Sequence, residues 1–326
     1  MTNEPILSRQ NRILIPPTDD NRCKQARKKE FMRKIYIPIK VTSSAKGYEL
    51  LIRLYDDLKD LQDEIIHLSL YNVQWFEANL AAVLGAIIEN LENKNNKVYL
   101  VDVEEFRQKT DILYRNGFLP YYGIEGENLM NSSTQIPYKK FRESDHKIYN
   151  QYIQVELLDN PDFPKHSRKL GIEIKRNIYE LFENARTHGR CKNIHTCGQF
   201  YPGKKRLHIT IVDTGKTIIN NVLSFLKKEL SSSECIEWAM ETGNTTKIGN
   251  TPGGLGLGLI MEFINLNKGK IQIVSSNGFW ELRESKMEKY DLNFSFPGTI
   301  ANLEFNLQED KIYSFANETP DMDNIF

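Results

Sequence analysis

The sequence predicts an α/β protein, an α+β sandwich type of layering built in two parts. Three observations carry this. Strand-like and helix-like segments alternate from Lys34 to Gly117. A long amphipathic helix, a β-branched strand and a glycine-rich helix start follow one another between residues 170 and 264. The composition, 40% hydrophobic and 26% charged, is that of a globular chain able to bury a core.

Composition also bounds function. The 326 residues suffice for two ordinary domains, and 43 basic residues balance 43 acidic ones. Net charge therefore points to neither nucleic acid nor a membrane surface as partner. The basic stretch Arg22, Lys24, Arg27, Lys28, Lys29 is diluted by Asp19, Asp20 and Glu30 and reads as a solvated tail. No run of eighteen apolar residues and no apolar secretory core occur, so a cytoplasmic location is expected. Four cysteines in a chain this long fit reduced thiols better than a disulfide framework.

Residues 1–30 read as a flexible leader. The first domain is expected over 31–120. Lys34 to Val41 and Glu64 to Leu70 are strands, and Ser44 to Lys59 is a helix between them. Leu80, Leu84, Ile87, Ile88 and Leu91 form the apolar stripe of a second helix, which Asn93 to Asn96 end. Lys97 to Val103 is a third strand, and Glu104 to Arg115 a helix stopped by Gly117. Residues 121–155 lack periodicity and are expected to be a linker. The second domain is expected over 156–310 and a loose tail over 311–326.

Chemistry concentrates in the second domain. In the helix from Leu170 to His188, Asn177, Glu180, Asn184 and His188 lie three or four apart and make a polar row beside the stripe of Leu170, Ile174, Ile178, Leu181, Phe182 and Ala185. Such a row can line a cleft while the stripe holds the helix to a sheet, although a plain surface helix shows the same pattern. Leu207 to Gly215 is a strand stopped by Asp213-Thr214-Gly215, and a carboxylate there can accept a hydrogen bond from a ligand amino group. Ile194 to Phe200 should pair with it through a Pro202-Gly203 hairpin. Gly253-Gly254-Leu255-Gly256-Leu257-Gly258 then opens an apolar helix, where backbone N–H groups and the helix dipole favour phosphate. The residues before these glycines read as loop, which disfavours a dinucleotide fingerprint and leaves 219–252 long enough for a lid.

In this order, ELFENARTHG (180–189), VDTGKTI (212–218), GGLGLGLI (253–260) and Gly298-Thr299 resemble the GHKL family of ATPases, shared by gyrase, MutL, heat-shock chaperones of the ninety-kilodalton class and histidine kinases. The resemblance spans about residues 160–310 and implies a Bergerat-type fold, with helices on one face of a mixed sheet. It implies ATP and Mg2+ as cofactors. Asn184 would be the metal-binding asparagine and Asp213 the acceptor of the adenine amino group. Gly215 would lie beside adenine, and Thr299 would share that contact. Gly254, Gly256 and Gly258 would wrap the phosphates. Glu180 stands where several members carry the general base, and Lys247 is a candidate for neutralising phosphate charge. One departure is Thr217, where the family usually has a second glycine.

No histidine sits in a phosphoacceptor context: His67 lies in a strand, His146 precedes Lys147 and His166 precedes Ser167. The first domain is weakly similar to STAS-type domains through IIHLSL, NVQWFEANLAAVLGAIIENL and KVYLV. Glu77-Ala78-Asn79 stands where that family often has a phosphorylatable serine. His188, Cys191, His195 and Cys197 match no common zinc spacing. Three functions follow as expectations: an ATP-dependent regulatory switch with slow hydrolysis, a serine/threonine protein kinase of the anti-sigma type, or a non-hydrolysing ATP sensor. A protein partner or a homodimer is expected with each.

Overall fold

The computed structural model describes residues 32–107, 111–126, 134–241, 243–244, 246 and 256–318. They belong to one compact unit of mixed α/β structure. The leader expected over 1–30 lies outside the described residues.

The described residues begin with a small parallel sheet. Strands β1 (Met32–Tyr36), β3 (Ile65–Ser69) and β5 (Lys97–Val101) lie side by side in the order β1-β3-β5. The strand expected over 34–41 breaks after Tyr36, where Pro38 lacks the N–H a ladder needs, and resumes as the short β2 (Lys40–Val41) beside β4 (Trp75–Phe76). Ser44 caps α1 (Ala45–Asp56) by accepting from Gly47 N. In α2 (Ala81–Glu92) burial extends beyond the expected stripe to Ala81, Ala82, Val83 and Ala86. The reason is position: α2 packs against β5 on one side and against β7 and β8 of a second sheet on the other. The helix expected over 104–115 is interrupted, giving α3 (Val103–Arg107) and α4 (Ile112–Arg115). Gly117, at φ 79°, turns the chain into α5 (Phe118–Tyr121).

The expected linker over 121–155 needs correction. From residue 135 it forms β6 (Gln135–Arg142), an edge strand of the second sheet, and then α6 (His146–Tyr152). The alternation in β6 was hidden by polar and charged residues on its solvent side, as befits an edge. The five-stranded sheet has the order β6-β7-β8-β10-β9, with β7 (Asn193–Tyr201), β8 (Arg206–Asp213), β9 (Lys270–Arg283) and β10 (Lys286–Asn306). Every neighbouring pair is antiparallel, so the mixed sheet expected from the resemblance is corrected to an antiparallel one. The β7–β8 hairpin forms where the alternation placed it.

One face of this sheet carries α7 (Arg168–Asn184), α8 (Ile218–Leu226), α9 (Ser232–Met240) and α10 (Gly256–Leu266). The stripe residues Leu170, Ile174, Ile178 and Phe182 of α7 are buried there, and Ser167 caps the helix. The other face is covered by α1 and α2. Cys197, Val212, Val274, Phe279 and Ile300 from the sheet share one core with residues of the small parallel sheet and its helices.

That shared core contains polar bonds. Asn79 Nδ2 donates to Ser43 Oγ and Thr210 Oγ1, each at 2.8 Å, and Asn302 Nδ2 donates to Gln272 Oε1 at 3.0 Å. Glu89 of α2 accepts from His195 Nε2 at 2.5 Å, while Tyr138 OH donates to His195 Nδ1 at 2.9 Å. The tail expected to be loose from residue 311 is also corrected as far as it is described. Buried Tyr313 bridges the backbone at Lys165 and Ser167, and Ser167 Oγ donates to Glu318 at 2.6 Å. Ring packing of Tyr313 on Phe263, 5.2 Å between centroids, supplies the apolar reason. Among the described residues no helix is long and apolar enough to cross a membrane.

Candidate functional site

A pocket opens on the helical face of the five-stranded sheet, bounded by α7, the end of β8, Thr299 and Ala301 within β10, and the pair α8–α9. It encloses about 1080 Å3 of free space, open solvent at its mouth included. Glu180, Asn184, Asp213 and Thr299 all line it. These four come from three separate stretches of sequence.

Sheet register explains the floor. Asp213 ends β8, and its partner across the antiparallel pair is Thr299 of β10. Asp213 is buried, with one oxygen, Oδ1, accepting from Gly215 N at 2.8 Å. Burial pushes its carboxyl up to about 7, opposed only by that Gly215 N–H. Thr299 is steadied from its other side by Ser275 of β9, whose hydroxyl lies 3.0 Å from Thr299 Oγ1 and donates to Gly298 O at 3.0 Å. Ser275 Oγ also accepts from Ile218 N at 3.0 Å, joining the floor to the start of α8.

Glycines let three backbones meet beside Asp213. A Cβ on Gly215 would run into the Gly189 carbonyl, and one on Gly298 into the Asp213 carbonyl. Gly189 O instead accepts from Lys216 N at 2.5 Å. Close approach, not unusual dihedral freedom, is what Gly215 and Gly298 supply.

The helical wall comes from α7. Glu180 and Asn184 lie one turn apart, and after Asn184 the helix widens into a π turn, Ala185–Gly189. This turn carries His188 into the pocket lining and Gly189 toward Asp213. His188 Nδ1 is 3.2 Å from Thr246 Oγ1, and its carbonyl accepts from Asn221 Nδ2 at 3.2 Å. Asn177, the first member of the expected polar row, has a different task. It is buried, donates to Glu173 O at 2.7 Å and accepts from Ile260 N at 3.1 Å, so it ties α10 to α7.

The departure at Thr217 has a local cause. Thr217 is the N-cap of α8, with an extended backbone and a side chain accepting from Asn220 N at 3.2 Å. Gly256 and Gly258 lie in the first turn of α10, and Leu257 between them lines the pocket. Lys247 and Gly254 lie outside the described residues. The lid expected within 219–252 corresponds in part to α8 and α9, both packed as pocket walls.

The pocket lining can offer acceptor oxygens to a ligand donor or to a hard cation. Asp213 offers acceptor oxygen in a dry setting, and the Asn184 amide oxygen is a ligand type that Mg2+ accepts. The four residues weighed for zinc do not converge. His195 bonds Glu89 and Tyr138, and Cys197 accepts from Asn116 Nδ2 at 3.4 Å. Cys191 donates to Ala185 O at 3.2 Å, and His188 faces the pocket. Sequence reasoning missed Ser275, Lys216, Asn221 and Trp238, of which the last three line the pocket. Only the cap at Thr217, four residues before Asn221, could have pointed to one of them.

The chain is thus an α/β protein with a pocket built on an antiparallel sheet. No protein-family model matches it, and no curated protein does.

Proposed function

We propose that this chain is an ATP-binding protein of the GHKL type, acting as an ATP-dependent regulatory switch with slow hydrolysis. The observation that carries this reading is Asp213: a buried carboxyl facing a pocket, held by one backbone N–H and paired in register with Thr299. A buried acceptor so placed is suited to a ligand amino group, and adenine supplies one.

In this reading Asp213 and Thr299 hold the base, with Gly215 and Gly298 letting the surrounding backbones close in beside Asp213. Asn184 would hold Mg2+, which supplies charge neutralisation for the phosphates. Glu180, one helical turn away on the same wall, would orient water and take its proton. Gly254, Gly256, Gly258 and Lys247 would serve the phosphates as the resemblance implies. The small parallel sheet with α1 and α2, whose resemblance is to STAS domains, would transmit the state of the pocket through the shared core. Asn79, in the stretch where that family often carries its phosphorylatable serine, is committed to bonds with Thr210 and Ser43, so this layer is read as a docking unit and not as an acceptor.

The test is incubation of the full chain with γ-labelled ATP and Mg2+. Free labelled phosphate is the expected product, lost in Glu180→Gln while ATP binding persists. Label on a partner protein would replace the switch with a serine/threonine kinase, and tight binding without turnover would leave an ATP sensor. Hydrolysis by Glu180→Gln at the wild-type rate would remove Glu180 from the role of base.

A further inference from the structure

The pocket has a fourth wall that none of the motif residues supplies. Helix α9 presents Trp238, Ala239 and Met240 to the cavity. Trp238 is half-buried, and its ring lies 5.8 Å from that of Phe225 on α8, at 41°. Phe225 is itself 47% exposed. Trp238 therefore lines a cavity whose floor holds a buried acceptor, and Phe225 lies against its ring.

What holds α9 there is a specific construction. Strands β9 and β10 run past the body of the sheet as a hairpin arm, turning at Glu284 and Ser285 with φ of 48° and 62°. The arm is bolted to α9 along its length. Asp291 of β10 accepts from Ser233 N at 2.8 Å and Ser232 N at 3.3 Å, supplementing the capping box of Ser231 and Glu234. Ser232 Oγ donates to Asn277 at 2.5 Å, and Lys289 pairs with Glu237 at 2.5 Å. Gly278 admits the backbone of Ser232, which a Cβ would strike. Several polar bonds and a close backbone approach thus add to the burial of Cys235, Ile236 and Met240 in fixing a nine-residue helix that ends at the pocket.

We infer that Trp238 is a ligand-binding residue of this pocket, contacting the flat heteroaromatic part of the ligand, and that Asp291 is the positioning residue that holds it in place through α9. This rests on the nucleotide reading above and adds to it a contact that the glycine, asparagine and aspartate motifs do not contain. A base held at its edge by Asp213 leaves its two faces to be covered, and an indole is the side chain best suited to cover one. Stacking of a base on an aromatic side chain is worth roughly 1–3 kcal/mol, or about five- to 150-fold in affinity.

The experiment is a titration of the full chain with ATP and Mg2+, read by tryptophan emission and by calorimetry. Trp280 is buried in β9, and Trp75 lies on β4 away from the pocket, so both serve as background. Emission of the wild type should change on binding, and that change should vanish in Trp238→Phe, which should keep affinity within about threefold. Trp238→Ala should lose about tenfold or more, and Asp291→Ala should lose part of both affinity and emission change, with the melting midpoints of all variants within a few degrees of wild type. Unchanged affinity in Trp238→Ala, while Asp213→Asn abolishes binding, would overturn this inference and leave the nucleotide reading intact. An absence of binding by the wild type would overturn both.

Discussion

The two faces of the five-stranded sheet treat their buried carboxyls in different ways. On the face toward α1 and α2, charged groups are matched. Glu89 meets His195 and Lys140, and Glu304 meets Lys270 at 3.1 Å. On the pocket face Asp213 has one backbone N–H and no matching cation among the described residues. The electrostatic result follows. Burial works to raise the Glu89 carboxyl, but hydrogen bonds from His195 and Asn193 and the charge of Lys140 hold it at about 2. Burial raises Asp213 to about 7 with little to oppose it. On one face the chain itself supplies the countercharge; on the other Asp213 has a single backbone donor.

The largest effect should come from the matched face. His195→Leu removes the main partner of Glu89 and should cost roughly 3–5 kcal/mol of stability, read by denaturant unfolding. Glu89 has a folded pKa below its ordinary value, so its contribution is fully present above pH 4.5 and disappears as pH falls toward 2. The variant should lose that acid-dependent segment of the stability curve. An unchanged curve would mean that the two faces do not differ as described.

Asp213→Asn probes the unmatched face and should behave in the opposite sense. Its folded pKa is raised, so protonation favours the folded state, and stability from this group is lost as pH rises from 3.8 through about 7. At pH 8 the neutral amide should therefore stabilise the chain, by an amount on the order of 2 kcal/mol, while ATP binding measured by calorimetry falls at least about a hundredfold. A destabilised variant at pH 8 would show that Asp213 is a structural group after all.

Thr217→Gly should be the smallest change. It introduces the glycine that the resembled family usually carries and removes a side-chain cap, at a cost of a few tenths of a kcal/mol, read as a small shift in the unfolding midpoint. A loss of ATP affinity beyond about threefold would assign Thr217 a role in the pocket and not only at the helix end.

Local patterns were legible where a single element carries them. The stripe of α7 and the hairpin of β7 and β8 follow from side-chain spacing and turn chemistry within a dozen residues. Strand β6 was not legible, because an edge strand with polar residues outward lacks the run of apolar residues that betrays a central one. Asn177 was grouped with Glu180 and Asn184 by spacing alone. Spacing tells which residues share a side of a helix, but not whether a neighbouring helix will cover one of them.

The sequence by itself singled out Glu180, Asn184, Asp213 and Thr299 as candidates from motif order, and all four line one pocket. Only the tertiary structure decided that β8 and β10 are neighbours with Asp213 opposite Thr299, that α2 lies between two sheets, and that Trp238 reaches the pocket. The physical reason is that helical and strand periodicity arise from bonds between near residues. Register across a sheet and the seating of one helix on another depend on packing summed over the whole core, which no short stretch of chain encodes.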